Sequence, residues 1–104
     1  MIFDHRTYLA IPGKLPAFLK VYSEKGLPLQ RKHLGEPFGW FVGEVGNPNE
    51  VIHIWKYASS QDRDDRRAAL KADPAWSEYL AEALPLLDHM ENKIVVPAPF
   101  FSAE

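Results

Sequence analysis

The side chains of this sequence that could do chemistry fall in two short runs. Asp4, Arg6 and Tyr8 alternate along an N-terminal apolar stretch, and His53, Trp55 and Tyr57 alternate along another. A spacing of two puts each trio on one side of a β-strand. Arg6 is the unusual member, because a guanidinium among aromatic groups must be paired or solvated. Two roles are open to it: an ion pair with Asp4 or another carboxylate that ties down the dimer, or a pocket group that binds an anion or enolate oxygen. His53 belongs to the one side-chain type that ordinarily trades a proton near neutral pH. Trp40 and Trp55 can wall a pocket for a flat ligand or simply pack a core. The ligand-binding candidates are therefore Arg6, Tyr8, Trp40, His53 and Trp55, with His53 and Arg6 the catalytic candidates among them.

Other chemistries lack the residues they need. The four histidines, His5, His33, His53 and His89, stand far apart, and no pair has the i, i+4 spacing of a helical zinc site. No cysteine is present, which removes thiolate catalysis, disulfides and Cys-based metal sites. No G-x-S-x-G, P-loop or G-x-G-x-x-G motif occurs, so acyl-enzyme, nucleotide and dinucleotide chemistry have no support. The expectation is no metal and no cofactor. His33, after Arg31 and Lys32, caps a helix end or lines a pocket mouth.

Charge excludes further classes. The net charge is −2 and the pI about 6.1, which offers no basic stripe for nucleic acid. The run Asp62 to Arg67 alternates in sign and reads as a solvated helix face, with Asp62 and Arg66 an i, i+4 pair. Anion binding by Arg63, Arg66 and Arg67 is the lesser reading, since three acids dilute their field. No apolar stretch is long enough to span a bilayer, and Met1–Arg6 lacks a basic segment leading into an apolar run. The expected compartment is the cytoplasm.

The elements that position these residues follow from periodicity. With 104 residues, 46% of them hydrophobic, the chain is read as one domain over 1–104. Ile2–Leu9 has strand spacing and ends before Pro12-Gly13. Leu15, Phe18, Leu19 and Tyr22 mark one buried helical face, with Pro16 in the first turn. Gly26 and Pro28 are expected to interrupt this helix, with one further turn over Leu29–Leu34. Phe38–Val45 and Glu50–Tyr57, joined by Gly46-Asn47-Pro48-Asn49, read as an antiparallel hairpin. Ser59 or Ser60 caps a second helix, and Asp73-Pro74 starts a third carrying Trp76, Tyr79, Leu80, Ala83, Leu84 and Leu87. Pro85 should distort its last turn. Lys93–Val96 reads as a closing strand. The order is βαββαβ, an α+β ferredoxin-like plan: a four-stranded antiparallel sheet with helices on one face.

Large apolar groups point to both sides of the two hairpin strands. Phe38, Trp40, Trp55 and Tyr57, if turned away from the helices, would leave an open face of several hundred Å². Covering about 400 Å² of apolar surface is worth on the order of 10 kcal/mol before association costs. Two such sheets packed face to face in a two-fold dimer would satisfy it. A loop or tail of the same chain laid over that face is the alternative.

Several separated motifs carry a family resemblance. Arg6-Thr7-Tyr8 with Pro12-Gly13-Lys14, then His53-Ile54-Trp55-Lys56-Tyr57, Asp62-Arg63, Arg66-Arg67-Ala68-Ala69-Leu70, Asp73-Pro74-Ala75-Trp76 and Pro97-Ala98-Pro99-Phe100 resemble the NIPSNAP family across essentially the whole chain. His5 departs from the pattern, where the family usually has an apolar residue. The resemblance implies a dimeric α/β-barrel fold and no settled activity. With no reaction motif, the favoured reading is a non-catalytic binding or adaptor domain acting as a homodimer, with room for a small-molecule ligand. The alternative is a cofactor-independent monooxygenase or isomerase acting on a small planar organic acid.

Overall fold

The computed structural model describes residues 1–103. Strand β1 (Ile2–Ala10) is followed by α1 (Leu15–Val21), a π-helical turn (Tyr22–Gly26) and α2 (Leu27–Leu34). Next come β2 (Gly39–Val42), β3 (Glu50–Tyr57), α3 (Ser60–Ala72), α4 (Pro74–Ala83), a 3-10 turn (Leu84–Leu86) and β4 (Leu87–Val95). The sheet is antiparallel in the order β2-β3-β1-β4, so the βαββαβ plan holds. β1 and β3 lie at its centre, each paired on both sides, so the residues that alternate along them are held firmly in place.

Three elements differ from expectation. The first helix is not broken at Gly26 and Pro28. It passes through one wide turn in which the Leu27 N–H donates to the Tyr22 carbonyl, five residues back. That turn lets Pro28 fall at the start of α2, where a missing N–H costs least. β2 is four residues rather than eight, because the loop after it folds back and Gly43 donates to Glu50. Val45 stands exposed in that loop. β4 begins at Leu87, well before Lys93, and its polar composition is that of an edge strand exposed on both faces. Other local readings hold: Ser59 accepts from the Asp62 N–H, Asp73 caps α4, and the Pro85 segment narrows to a 3-10 turn.

The sheet faces also differ from expectation. Register places Ile2, Asp4, Arg6 and Tyr8 beside Tyr57, Trp55, His53 and Val51, with Trp40 opposite His53. This face lies under the helices, where Val51, His53, Trp55 and Tyr57 are buried. Trp40, Trp55 and Tyr57 therefore do not make an open apolar face, because they pack the core with Phe18, Tyr22, Leu34, Leu70 and Tyr79. The open face carries Phe3, His5, Thr7 and Leu9 with Phe41, Ile52 and Ile54, and it turns polar along β4 at His89, Glu91 and Lys93. Phe38 packs edge-on against Phe3, and the tail from Val96 to Ala103 borders the same end, leaving Phe3 buried. No helix is long and apolar enough to cross a membrane.

Gly26 is where the first helical layer meets α4. A Cβ there would lie 2.6 Å from the Tyr79 ring, itself buried. Gly26→Ala is expected to lower unfolding free energy by about 1–3 kcal/mol, the usual cost of overpacking. Urea denaturation checks this; unchanged stability would show that the Tyr79 ring has somewhere to go.

Candidate functional site

Asp4 has no exposed surface. Its carboxylate accepts from Arg6 Nη1 at 2.9 Å, from Arg63 Nε at 3.0 Å and from Asn92 Nδ2 at 3.0 Å. Three elements, β1, α3 and β4, are thus tied to one anion. Burial works to raise the Asp4 pKa, but Asn92, Arg6 and Arg63 together hold it below the usual carboxylate range. Arg6 also donates through Nε to the Tyr8 hydroxyl at 3.0 Å.

His53 lies behind this cluster, fully buried. Its ring stacks on Trp40 at 5.2 Å and meets Tyr8 edge-on at 4.7 Å. Trp55 Nε1 lies 2.7 Å from His53 Nδ1. An indole N–H can only donate, so Nδ1 is the bare nitrogen and Nε2 carries the proton. Burial, reinforced by Arg6 and Arg67 against Asp4, pushes the His53 pKa down to about 3. The expected proton transfer by His53 near neutral pH does not fit this environment, because the imidazolium is too costly there. Trp40 donates to the Tyr22 hydroxyl at 2.8 Å, and that hydroxyl donates to Gln30 Oε1.

A cavity of about 210 Å³ lies between the sheet and the helices. Arg6, Tyr8, Arg67, Trp76, Tyr79 and Met90 are among its walls. Of the expected ligand-binding residues, Arg6 and Tyr8 reach this space; Trp40, His53 and Trp55 pack behind it. Arg67, Trp76 and Tyr79 are additions. Arg67 Nη1 is buried without a hydrogen-bond partner, and no carboxylate pairs with Arg67 among the described residues. The Tyr57 hydroxyl lies beside the Arg67 guanidinium, outside strict hydrogen-bond geometry but close enough for that group to oppose the rise that burial gives its pKa. Arg6 and Arg63 thus share the buried Asp4 carboxylate, whereas Arg67 lines the cavity with no carboxylate of its own.

The signal for Arg67 is in the spacing. Arg66 faces water and pairs with Asp62 at 2.8 Å, whereas Arg67 lies one position round the helix. It shares a face with Arg63 and with buried Leu70, at i−4 and i+3. The other histidines do not join the site. His33 Nε2 lies 2.8 Å from Asp73, the N-cap of α4, while His5 lies on the open face and His89 on the exposed edge strand. The described residues contain no cluster able to hold a metal ion.

An antiparallel ferredoxin-like sheet with helices on one side and a cavity between the layers defines a small α+β domain. The NIPSNAP family profile matches residues 3–102, and the chain belongs to that family. It is 35% identical over 96 residues to the NipSnap homolog of Dictyostelium discoideum, covering 92% of this chain and 42% of that one. It is 36% identical over 96 residues to NipSnap homolog 2 of Danio rerio, covering 92% and 33% respectively. The chain thus spans less than half the length of these curated relatives. A crystal structure of a NIPSNAP family protein of unknown function from Agrobacterium tumefaciens superposes with TM-score 0.93 at 43% identity, covering 100% of this chain and 94% of that one. An uncharacterized NIPSNAP domain protein from Burkholderia xenovorans gives 0.91 at 33% identity, covering 98% and 99%. A protein of the antibiotic biosynthesis monooxygenase type from Nitrosomonas europaea shares the fold, with TM-score 0.69 at 12% identity, covering 93% and 98%.

The buried neutral His53 has a measurable signature. Its unfolded pKa is about 6.5. Below that value the unfolded chain takes up a proton that the folded protein refuses. Stability is therefore full above pH 6.5 and falls as pH drops toward the folded value of about 3. Denaturation midpoints from pH 7 to 4.5 should fall less steeply in His53→Gln than in the parent. Parallel curves would mean that His53 titrates normally.

Proposed function

We propose that this chain is a homodimeric, non-catalytic binding domain whose cavity holds a small organic anion with an aromatic or aliphatic body. The observation that carries this reading is Arg67: a guanidinium in the cavity wall with a buried, unpartnered nitrogen and no carboxylate of its own. Arg67 is half-buried, with one guanidinium nitrogen shielded from water and unbonded, so an incoming anion gains a charge-assisted hydrogen bond where none exists in the empty site. Tyr8, Trp76, Tyr79, Leu80 and Leu87 supply the apolar remainder of the wall. Arg6 is already committed to Asp4 and Tyr8, which makes it a supporting residue.

The catalytic alternative, oxygenation or isomerisation of a small planar organic acid without a cofactor, needs a group that exchanges a proton near neutral pH. His53 is held neutral, with Nδ1 already accepting from Trp55. The fold shared with a monooxygenase-type protein supports the architecture and not a reaction. Dimerisation rests on the open face, where Phe41 is 55% exposed beside Ile52 and Ile54. An exposed apolar patch on a sheet face marks an interaction surface, and a second copy offers a matching one.

Two measurements test this reading. By calorimetry, benzoate should bind at least about tenfold more tightly than benzamide, and Arg67→Met should abolish the difference while leaving the melting temperature near that of the parent. Equal binding of both compounds to both proteins would overturn it, and turnover of a bound acid would replace it with the catalytic alternative. By light scattering at micromolar concentration, the mass should be twice the chain's 11.9 kDa. Phe41→Asp should shift it toward the single chain; a parent that is already monomeric would remove the dimer from the account.

A further inference from the structure

A cavity of about 210 Å³ is small beside the roughly 300–1,000 Å³ of most small-molecule sites. Immediately beyond its wall, a groove of about 560 Å³ runs between α3 and α4. Arg67, Trp76 and Leu80 line both spaces, so these three side chains are the partition between them. The two sides differ in chemistry. The cavity is walled chiefly by aromatic and aliphatic groups, whereas the groove adds Arg63, Lys71 and Ser77.

Lys71 follows Arg67 by four residues on α3 and so stands on the same helix face. Among the described residues it has no ion-pair partner, and neither has Arg67. Arg63 is held by Asp4 at 3.0 Å. The one acid lining the groove, Asp64, is exposed and lies 3.7 Å from Arg63, so it turns toward a cation that is already paired. Two uncompensated cations therefore face the groove, one of them at the threshold of the cavity.

From this arrangement we infer that the α3–α4 groove is a second subsite for a doubly charged head group, so that the ligand class is a phosphate monoester, or an anion of equal charge, on an apolar body. The apolar body fills the cavity, the first charge rests on Arg67 at the partition, and the second is met by Lys71. This rests on the reading of the cavity as an anion site, and it adds the charge of the ligand and the direction from which it enters. A monocarboxylate would use Arg67 and leave Lys71 idle. A phosphate monoester, whose second ionisation lies at about pH 6, would use both.

Calorimetric titration of the full chain with phenyl phosphate and with benzoate separates the possibilities. At pH 7.5 phenyl phosphate should bind about tenfold more tightly than benzoate, and that preference should shrink at pH 5.5, where the second charge is largely neutralised. Lys71→Met should remove the preference while leaving benzoate affinity within about twofold of the parent. Arg67→Lys, which keeps the charge and spares the fold, should retain weakened binding of both compounds. If benzoate binds but phenyl phosphate binds no better, or if Lys71→Met leaves the preference intact, the groove is not a head-group site and the cavity reading stands. If neither compound binds, both fall.

Discussion

Asp4 accepts hydrogen bonds from its own strand, from α3 and from β4 while having no contact with water, and the rest of the site is arranged around it. A buried ion pair gains little net stability, because desolvation cancels most of the attraction. Removing one partner is costly, since it leaves the other charge stranded. The cluster thus fixes geometry more than it adds free energy. It holds Arg6 against Tyr8, pins α3 over the central strand through Arg63, and fastens the exposed β4 through Asn92. With α3 fixed at Arg63, the next residue on that helix face, Arg67, has to point into the space between the layers. The same carboxylate that neutralises Arg6 and Arg63 has no bond to Arg67, and this imbalance gives the cavity its chemical character.

Aromatic and aliphatic groups of the helical layer together wall the cavity. Gly26 admits the Tyr79 ring to the first helical layer, and Tyr22, in the wide turn, accepts the hydrogen bond from Trp40. Tyr22 and Tyr79 both have their phenol pKa values raised by burial, so they remain neutral and act as rigid walls. π-helical turns inside helices frequently coincide with functional sites. In this fold the turn has a plain structural role, setting Tyr22 over His53 and carrying the chain past Pro28 without ending the helix. His53 then serves as a neutral, tautomer-fixed filler between Trp40 and Trp55.

Much of this is legible from residue order. The alternation of Asp4, Arg6 and Tyr8, and of His53, Trp55 and Tyr57, puts both trios on one sheet face, and the Arg6–Asp4 pair is one of the two roles that alternation allows. The caps at Ser59 and Asp73 follow from local hydrogen bonding, which is encoded within a few residues. Which sheet face the helices cover is less accessible, because both faces of the hairpin carry large apolar groups and periodicity alone does not rank them. Most of β4 escapes detection, since an edge strand exposed on both faces has no apolar alternation. Arg67 is hidden because the charge run around it averages out; only placing it on a helix face with Leu70 separates it from solvent-facing Arg66. The suppressed ionisation of His53 depends on tertiary burial that no sequence motif announces.

Asp4 is an ionised carboxylate that balances Arg6 and Arg63. Carbon-detected nuclear magnetic resonance of the Asp4 side-chain carboxyl through an acid titration of the folded protein measures this directly. The carboxyl signal should keep its ionised shift below the ordinary aspartate midpoint of about pH 3.9. A midpoint above the ordinary value would mean that Asn92, Arg6 and Arg63 do not offset the burial of this carboxylate, and Asp4 would lose its place as the anion that organises the site.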